Sequence, residues 1–136
     1  MTKAIQATRK PLGDILLVED DPWLAELEAE VLTQVGYRVT RVSHAPSAIA
    51  KIDEKQPDII VLDVLLTGST AFALLHELQS YGDTKAVPII LCTNMADSLN
   101  LEDLKMYGVR RIIDKSTMQP NDLPAAIRSI LSKVLS

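Results

Sequence analysis

Acidic residues, one threonine and one lysine close four separate apolar runs of this chain. The run Ile15–Val18 ends in Glu19, Asp20 and Asp21, and the run Ile59–Leu62 ends in Asp63. The run Val87–Cys92 ends in Thr93, and the run Val109–Ile113 leads through Asp114 to Lys115. Clustered carboxylates repel one another unless a cation compensates them. A hard divalent cation does this well. Mg²⁺ (or Mn²⁺) takes oxygen ligands, and Mg²⁺ keeps several waters, so a few carboxylates suffice. Lys115 offers a fixed cation on the opposite side, and the Thr93 hydroxyl can donate to an anionic oxygen. A metal, a lysine and a hydroxyl around one central carboxylate form a receptor for a phosphoryl group, with the carboxylate as nucleophile. Taken singly, each residue is explained as a helix cap or a strand-end turn residue. Their recurrence at four run ends is not.

These residues can act together only if the fold gathers the run ends. Short apolar runs alternating with helical stretches read as strands of a parallel sheet buried on both faces. Ligands bind such sheets beyond the carboxyl ends of the strands. Asp14–Val18 is predicted as the first strand. Asp21 caps a helix with Pro22 at its first position, Leu24, Leu27, Val31 and Val35 recur at helical spacing, and Gly36 ends it. Residues 37–42 alternate like a strand with one wetter face. Residues 45–55 form a helix with Ala48, Ile49 and Ile52 inward, and Ile59–Leu62 is the third strand. Thr67, Gly68 and Ser69 form a loop before a helix over 70–81, with Phe72, Leu75 and Leu78 along one side. Val87–Cys92 is the fourth strand. A single helix is predicted over 96–107, stopped by Gly108, and Val109–Ile113 is the fifth strand. A final helix opens near Pro120 or Asn121, with Leu123, Ile127, Ile130, Leu131 and Val134 inward.

The chain has 136 residues, 47% of them hydrophobic, which suits one domain with a full core. Residues 1–13 read as a flexible leader, and 14–136 as the domain. No apolar stretch approaches the roughly 18 residues needed to span a membrane, and the leader lacks the apolar segment of a signal peptide. One cysteine, Cys92, excludes an intrachain disulfide framework and suits the cytoplasm. A net charge of −4 argues against nucleic-acid binding. Cys92 reads as a core thiol, His44 and His76 as surface residues, and Asp114 as pointing away from the pocket. Trp23, at the start of the first helix, could report metal binding if it lies close.

Together, the acidic pair after strand one, the aspartate after strand three, the threonine after strand four and the lysine after strand five resemble the receiver domain of bacterial response regulators. The resemblance covers about Asp14 to Leu135, and the steps from Asp63 to Thr93 and from Thr93 to Lys115 match the family's usual spacings. It implies an α/β fold: a flavodoxin-like doubly wound sandwich, with a five-stranded parallel sheet of order 2-1-3-4-5 flanked by five helices. It implies Asp63 as phosphoacceptor. Glu19, Asp20, Asp63 and the backbone carbonyl of Leu65 would be the Mg²⁺ ligands, Glu19 through water. Thr93 would be the switch hydroxyl, and Lys115 would bind the phosphoryl group.

Several positions depart from the family pattern. Leu66, Thr67 and Ala71 stand where Met-Pro and a later Gly are usual, and Asn94 replaces a small residue. Ile112 replaces the aromatic that swings inward on activation, which puts its coupling to Thr93 in doubt. Ser116 replaces a proline joined through a cis bond. A cis bond without proline costs about 3 kcal/mol, so the Lys115–Ser116 bond is either trans or a store of strain.

Three functions are compatible with these residues. The first is a two-component signalling receiver, phosphorylated by a sensor histidine kinase or a phosphotransfer protein, whose helix-four, strand-five and helix-five surface regulates a downstream protein. With the last helix reaching the end of the sequence, no DNA-binding output segment is expected, so output would run through a partner or the chain would be an excised receiver. Dimerisation through the fourth and fifth helices is a further option, with Leu99, Leu101, Leu104 and Met106 there, though core burial explains them equally. The second is a pseudo-receiver, a phosphorylation-independent interaction module, motivated by Ile112, Ser116 and Asn94. The third is a Mg²⁺-dependent phosphohydrolase, disfavoured because Leu65 stands where a second acid is usual. The chain is thus expected not to be an enzyme beyond its own phosphorylation and dephosphorylation.

In the family, the positions two after the phosphoacceptor and two after the threonine tune phosphoryl lifetime. Here they are Leu65 and Met95, both apolar and unable to hold an attacking water, so self-dephosphorylation should be slow. Replacing both with polar residues should shorten the lifetime of the phosphorylated protein, followed by intact mass after donor removal. An unchanged decay rate would contradict the expectation.

Overall fold

Residues 10–63, 68–80 and 87–135 are described in the computed structural model of the protein. The strands are β1 (Asp14–Glu19), β2 (Arg38–Val42), β3 (Ile59–Asp63), β4 (Ile89–Thr93) and β5 (Val109–Asp114). The helices are α1 (Pro22–Val35), α2 (Ala45–Glu54), α3 (Gly68–Ser80), α4 (Leu101–Leu104) and α5 (Asp122–Leu135). The strands form one sheet in the order β2-β1-β3-β4-β5, with every neighbouring pair parallel. This is the doubly wound order that the resemblance to receiver domains implies.

Alternation along the strands builds two cores. On one face Ile15, Leu17, Ile59, Val61, Ile90 and Cys92 pack with residues of α1 and α5. On the other, Leu16, Val18, Ile60, Leu62, Ile89 and Leu91 pack with residues of α2, α3 and α4. The three central strands are therefore buried on both sides, which explains their unbroken apolar runs. Each fully buried Ile or Leu contributes roughly 1.5–3 kcal/mol. Glu19 continues the Ile15–Leu17 side of β1 and Asp63 the Ile59–Val61 side of β3. Both carboxylates thus emerge toward the α1–α5 layer.

Two helices differ from their sequence reading. In α1 the face turned to the sheet is Ala25, Glu28, Ala29 and Leu32. The bulkier stripe Leu24, Leu27 and Val31 faces outward, and with Met118, Pro120, Leu123 and Pro124 it lines a groove of about 320 Å³. Small alanines let the helix approach the strands closely, and spacing alone could not choose between two stripes of equal period. The second difference is the helix over 96–107. It is a 3₁₀ turn (Ala96–Ser98), the four-residue α4, and a second 3₁₀ turn (Lys105–Tyr107). Asn100 breaks it: its backbone is extended, and its side chain caps α4 by accepting the Glu102 N–H at 2.9 Å. Of the apolar residues there, Leu104 is buried, Leu99 and Leu101 pack against the second core, and Met106 is exposed.

At the leader's end, the Leu12 N–H donates to the Gly36 carbonyl at 2.9 Å, and the Arg38 N–H donates to the Gly13 carbonyl at 2.9 Å. Residues 1–9, and the predicted end of the third helix at Tyr81 and Gly82, lie outside the described residues. Gly36 closes α1 with φ +122°, and a Cβ there would meet Leu12 Cδ1 at 3.2 Å. Gly36→Ala should therefore cost about 1–2 kcal/mol in a urea titration, with an unchanged m-value.

Candidate functional site

Register brings the predicted residues to one edge. Glu19 lies opposite Asp63, Asp63 opposite Cys92, and Thr93 opposite Asp114. The Lys115 N–H donates to the Thr93 carbonyl at 3.0 Å, which anchors the turn after β5. From there the lysine side chain reaches back across the sheet. Its Nζ lies 2.6 Å from Asp63 Oδ1 and 3.8 Å from Glu19 Oε2. Asp63, Thr93 and Glu19 are buried, at 0%, 1% and 2% exposure. Glu19 Oε1 accepts the Asp21 N–H at 2.9 Å, and Asp21 caps α1 through the N–H groups of Trp23 and Leu24. Thr93 Oγ1 accepts the Met95 N–H at 3.0 Å, so its own hydrogen is left to donate elsewhere.

A residue absent from the sequence reading joins this set. Glu28 projects from the sheet-facing side of α1 and is 7% exposed. Glu19, Glu28 and Asp63 each offer one oxygen to a group lying within 4.8 Å of one another. Among the described residues neither Glu28 oxygen has a hydrogen-bond partner, and nor does Asp63 Oδ2. The signal in the sequence was a glutamate in register with Ala25, Ala29 and Leu32, visible only once that face is known to be the buried one.

Burial dominates the electrostatics. It pushes the Glu28 carboxyl up to about 10, with the neighbouring Asp63 and Glu19 adding to the rise. Burial likewise raises Glu19 to about 8, opposed by the Asp21 N–H and supported by Asp63. For Lys115, burial favours the neutral amine, but Asp63, Glu19 and Glu28 outweigh it and hold the ammonium above its usual range. Orphaned, buried carboxylate oxygens facing one another are the donor set that a hard divalent cation takes. Glu19, Glu28 and Asp63 therefore fit such an ion.

Other predicted residues lie around this centre or away from it. Asp20 is exposed in the turn between β1 and α1, and the third carboxylate of the tight set is Glu28 rather than Asp20. Met95 is exposed, and Ile112 is half-buried against the second core. Leu65, with Leu66 and Thr67, lies outside the described residues. The Lys115–Ser116 bond is trans, since there is no cis peptide bond among the described residues. The Ser116 N–H, which a proline would lack, donates to Asp114 Oδ1 at 2.9 Å, and its hydroxyl donates to the same oxygen at 2.6 Å. These bonds occupy Asp114 away from the pocket and hold its carboxyl below the usual range. Cys92 is a buried thiol in the first core, and burial raises it well above its usual value. His44 is exposed and caps α2 through the Ser47 N–H, and His76 stacks at a tilt on Tyr107. Trp23 is exposed.

Glu28 titrates near 4.5 when unfolded and near 10 when folded. Its contribution to stability is full below the lower value and is lost progressively as pH rises toward the upper one. Glu28→Gln should therefore raise the stability of the metal-free protein at pH 8 by roughly 1–3 kcal/mol, the cost of an unsatisfied buried group. The gain should shrink toward pH 5. Thermal melts in a chelating buffer at the two pH values check this.

The family model of the response regulator receiver domain matches residues 15–128. The chain is 26% identical over 122 residues to the transcriptional regulatory protein BaeR of Escherichia coli, an alignment covering 88% of this chain and 48% of that protein. The chain spans a third to about a half of the length of the curated relatives it matches. Among solved structures, the receiver domain of a signal transduction histidine kinase from Syntrophus aciditrophicus superposes with a TM-score of 0.74 at 29% identity, covering 90% of this chain and 92% of that one. The receiver domain of a sensor histidine kinase from Pseudomonas aeruginosa, with a magnesium ion coordinated in its active-site cleft, gives 0.73 at 26% identity, covering 86% and 95%. A matching family model over most of the chain, a sheet of order 2-1-3-4-5 and a lysine drawn onto a buried aspartate at its carboxyl edge lead to one assignment: the chain belongs to the response regulator receiver domain family.

Proposed function

We propose that this receiver is a phosphorylation switch. A sensor histidine kinase or phosphotransfer protein passes a phosphoryl group to Asp63, and the α4–β5–α5 surface repacks to regulate a downstream protein. The observation that carries this reading is the 2.6 Å contact between Lys115 Nζ and the fully buried Asp63. The lysine engages one carboxylate oxygen. It leaves the other to attack phosphorus, and then sits beside the incoming phosphoryl oxygens. The Thr93 hydroxyl, whose oxygen already accepts from Met95, is placed to donate to the transferred group. Glu19 and Asp63, with Asp20 at the exposed rim, would hold Mg²⁺, as the magnesium-bound Pseudomonas receiver suggests. When bound, the ion offsets the negative charge of carboxylates and phosphoryl group alike. The protein turns over no external substrate and catalyses only its own phosphorylation and dephosphorylation. Its single cysteine suits a reducing cytoplasm, and among the described residues no helix is long and apolar enough to cross a membrane.

A second reading, a phosphorylation-independent docking module, is favoured by the crowding of Glu28 and Glu19 against the phosphoacceptor. Added negative charge there opposes capture of an anionic group.

Intact mass and amide NMR with Mg²⁺, before and after acetyl phosphate or beryllofluoride, separate the two. The switch requires a single adduct on wild type, none on Asp63→Asn, and shifts spreading from Asp63 to Thr93, α4 and α5. Cation binding without an adduct or spreading shifts would give the docking module instead.

A further inference from the structure

Glu28 is the one member of the buried acidic set that the proposed phosphoryl chemistry does not use. Its carboxylate oxygens are buried, one of them lies within 4.8 Å of oxygens of Glu19 and Asp63, and neither has a hydrogen-bond partner among the described residues. A buried carboxylate left in this state is costly, and three of them together cost more. One ammonium, Lys115, faces the set from 2.6 and 3.8 Å. With all three carboxylates ionised, as ligands of a bound cation are, one ammonium leaves two negative charges, the charge of one divalent cation.

Size and hydration indicate which cation. Mg²⁺ demands short bonds of about 2.0–2.1 Å and gives up its waters reluctantly, so it favours sites with one or two carboxylates and room for solvent. Oxygens that all lie within 4.8 Å of one another can be drawn onto one ion. The members of this set are also almost wholly buried, which leaves little room for a retained water shell. We infer that Glu28 is a third carboxylate ligand of the cation held by Glu19 and Asp63, and that it shifts the pocket's preference from Mg²⁺ toward a larger, more readily dehydrated oxygen-seeking ion of the Mn²⁺ or Ca²⁺ class.

The inference rests on the proposed cation seat at Asp63, and the test separates the two. Isothermal titration of the full chain with Mg²⁺, Mn²⁺ and Ca²⁺ is run on wild type, Glu28→Gln and Glu28→Leu. Mn²⁺ electron paramagnetic resonance serves as a second readout, and circular dichroism confirms the fold of each variant. Partners one shell outside a metal are worth about 10–100-fold in affinity, so losing a direct ligand should weaken Mn²⁺ and Ca²⁺ binding at least about tenfold. Mg²⁺ binding should fall less, so the Mn²⁺/Mg²⁺ and Ca²⁺/Mg²⁺ affinity ratios should drop in both variants. Wild-type affinities and ratios in both folded variants, or tighter binding, would overturn the role of Glu28 while leaving the seat at Asp63 standing. Failure of wild type to bind any of the three ions would overturn both.

Discussion

The contact between Lys115 and Asp63 is the interaction around which the site is organised. It joins the ends of two strands that are not neighbours, β3 and β5, across the intervening β4. The lysine reaches it because its own backbone N–H is tied to Thr93 at the end of β4. One ion pair and one backbone hydrogen bond thus tie together the carboxyl ends of three strands. The turn after β5 leads into α5, which packs on the same face of the sheet as α1.

Burial makes this pair consequential. Exposed ion pairs contribute little, whereas a buried carboxylate depends on its partner for nearly all its compensation. Lys115 compensates Asp63 directly and Glu19 from a greater distance, and among the described residues neither Glu28 oxygen has a hydrogen-bond partner. The pocket is thus built with a deficit of positive charge. A seat for a cation uses such a deficit, because the incoming ion offsets it. The same deficit explains why burial lifts Glu19 and Glu28 far above ordinary carboxylates.

The sheet-facing side of α1 decides two features at once. Alanines at 25 and 29 draw the helix close to the sheet, and that closeness carries Glu28 under the pocket. It also turns Leu24, Leu27 and Val31 outward, where they form one wall of a groove with the segment leading into α5. A helix with two apolar stripes has two ways to lie on a sheet. The stripe with smaller side chains wins when the sheet itself supplies the bulk, as the Ile, Leu and Val runs of β1 and β3 do.

The amino-acid order by itself determined the alternation of strands and helices, the placing of Glu19, Asp63, Thr93 and Lys115 at strand ends, and the parallel sheet that gathers them. Each of these follows from local period, turn residues and runs buried on both faces. Two things it left undetermined. The fourth helix is broken, because the Asn100 side chain competes for the backbone, and apolar spacing does not register a cap. The third buried carboxylate is Glu28 and not Asp20, because which stripe of α1 meets the sheet depends on side-chain volumes across the interface. Period is a property of one segment and is legible in it. The choice between equivalent faces is a property of two packed surfaces, and only the tertiary structure could make it.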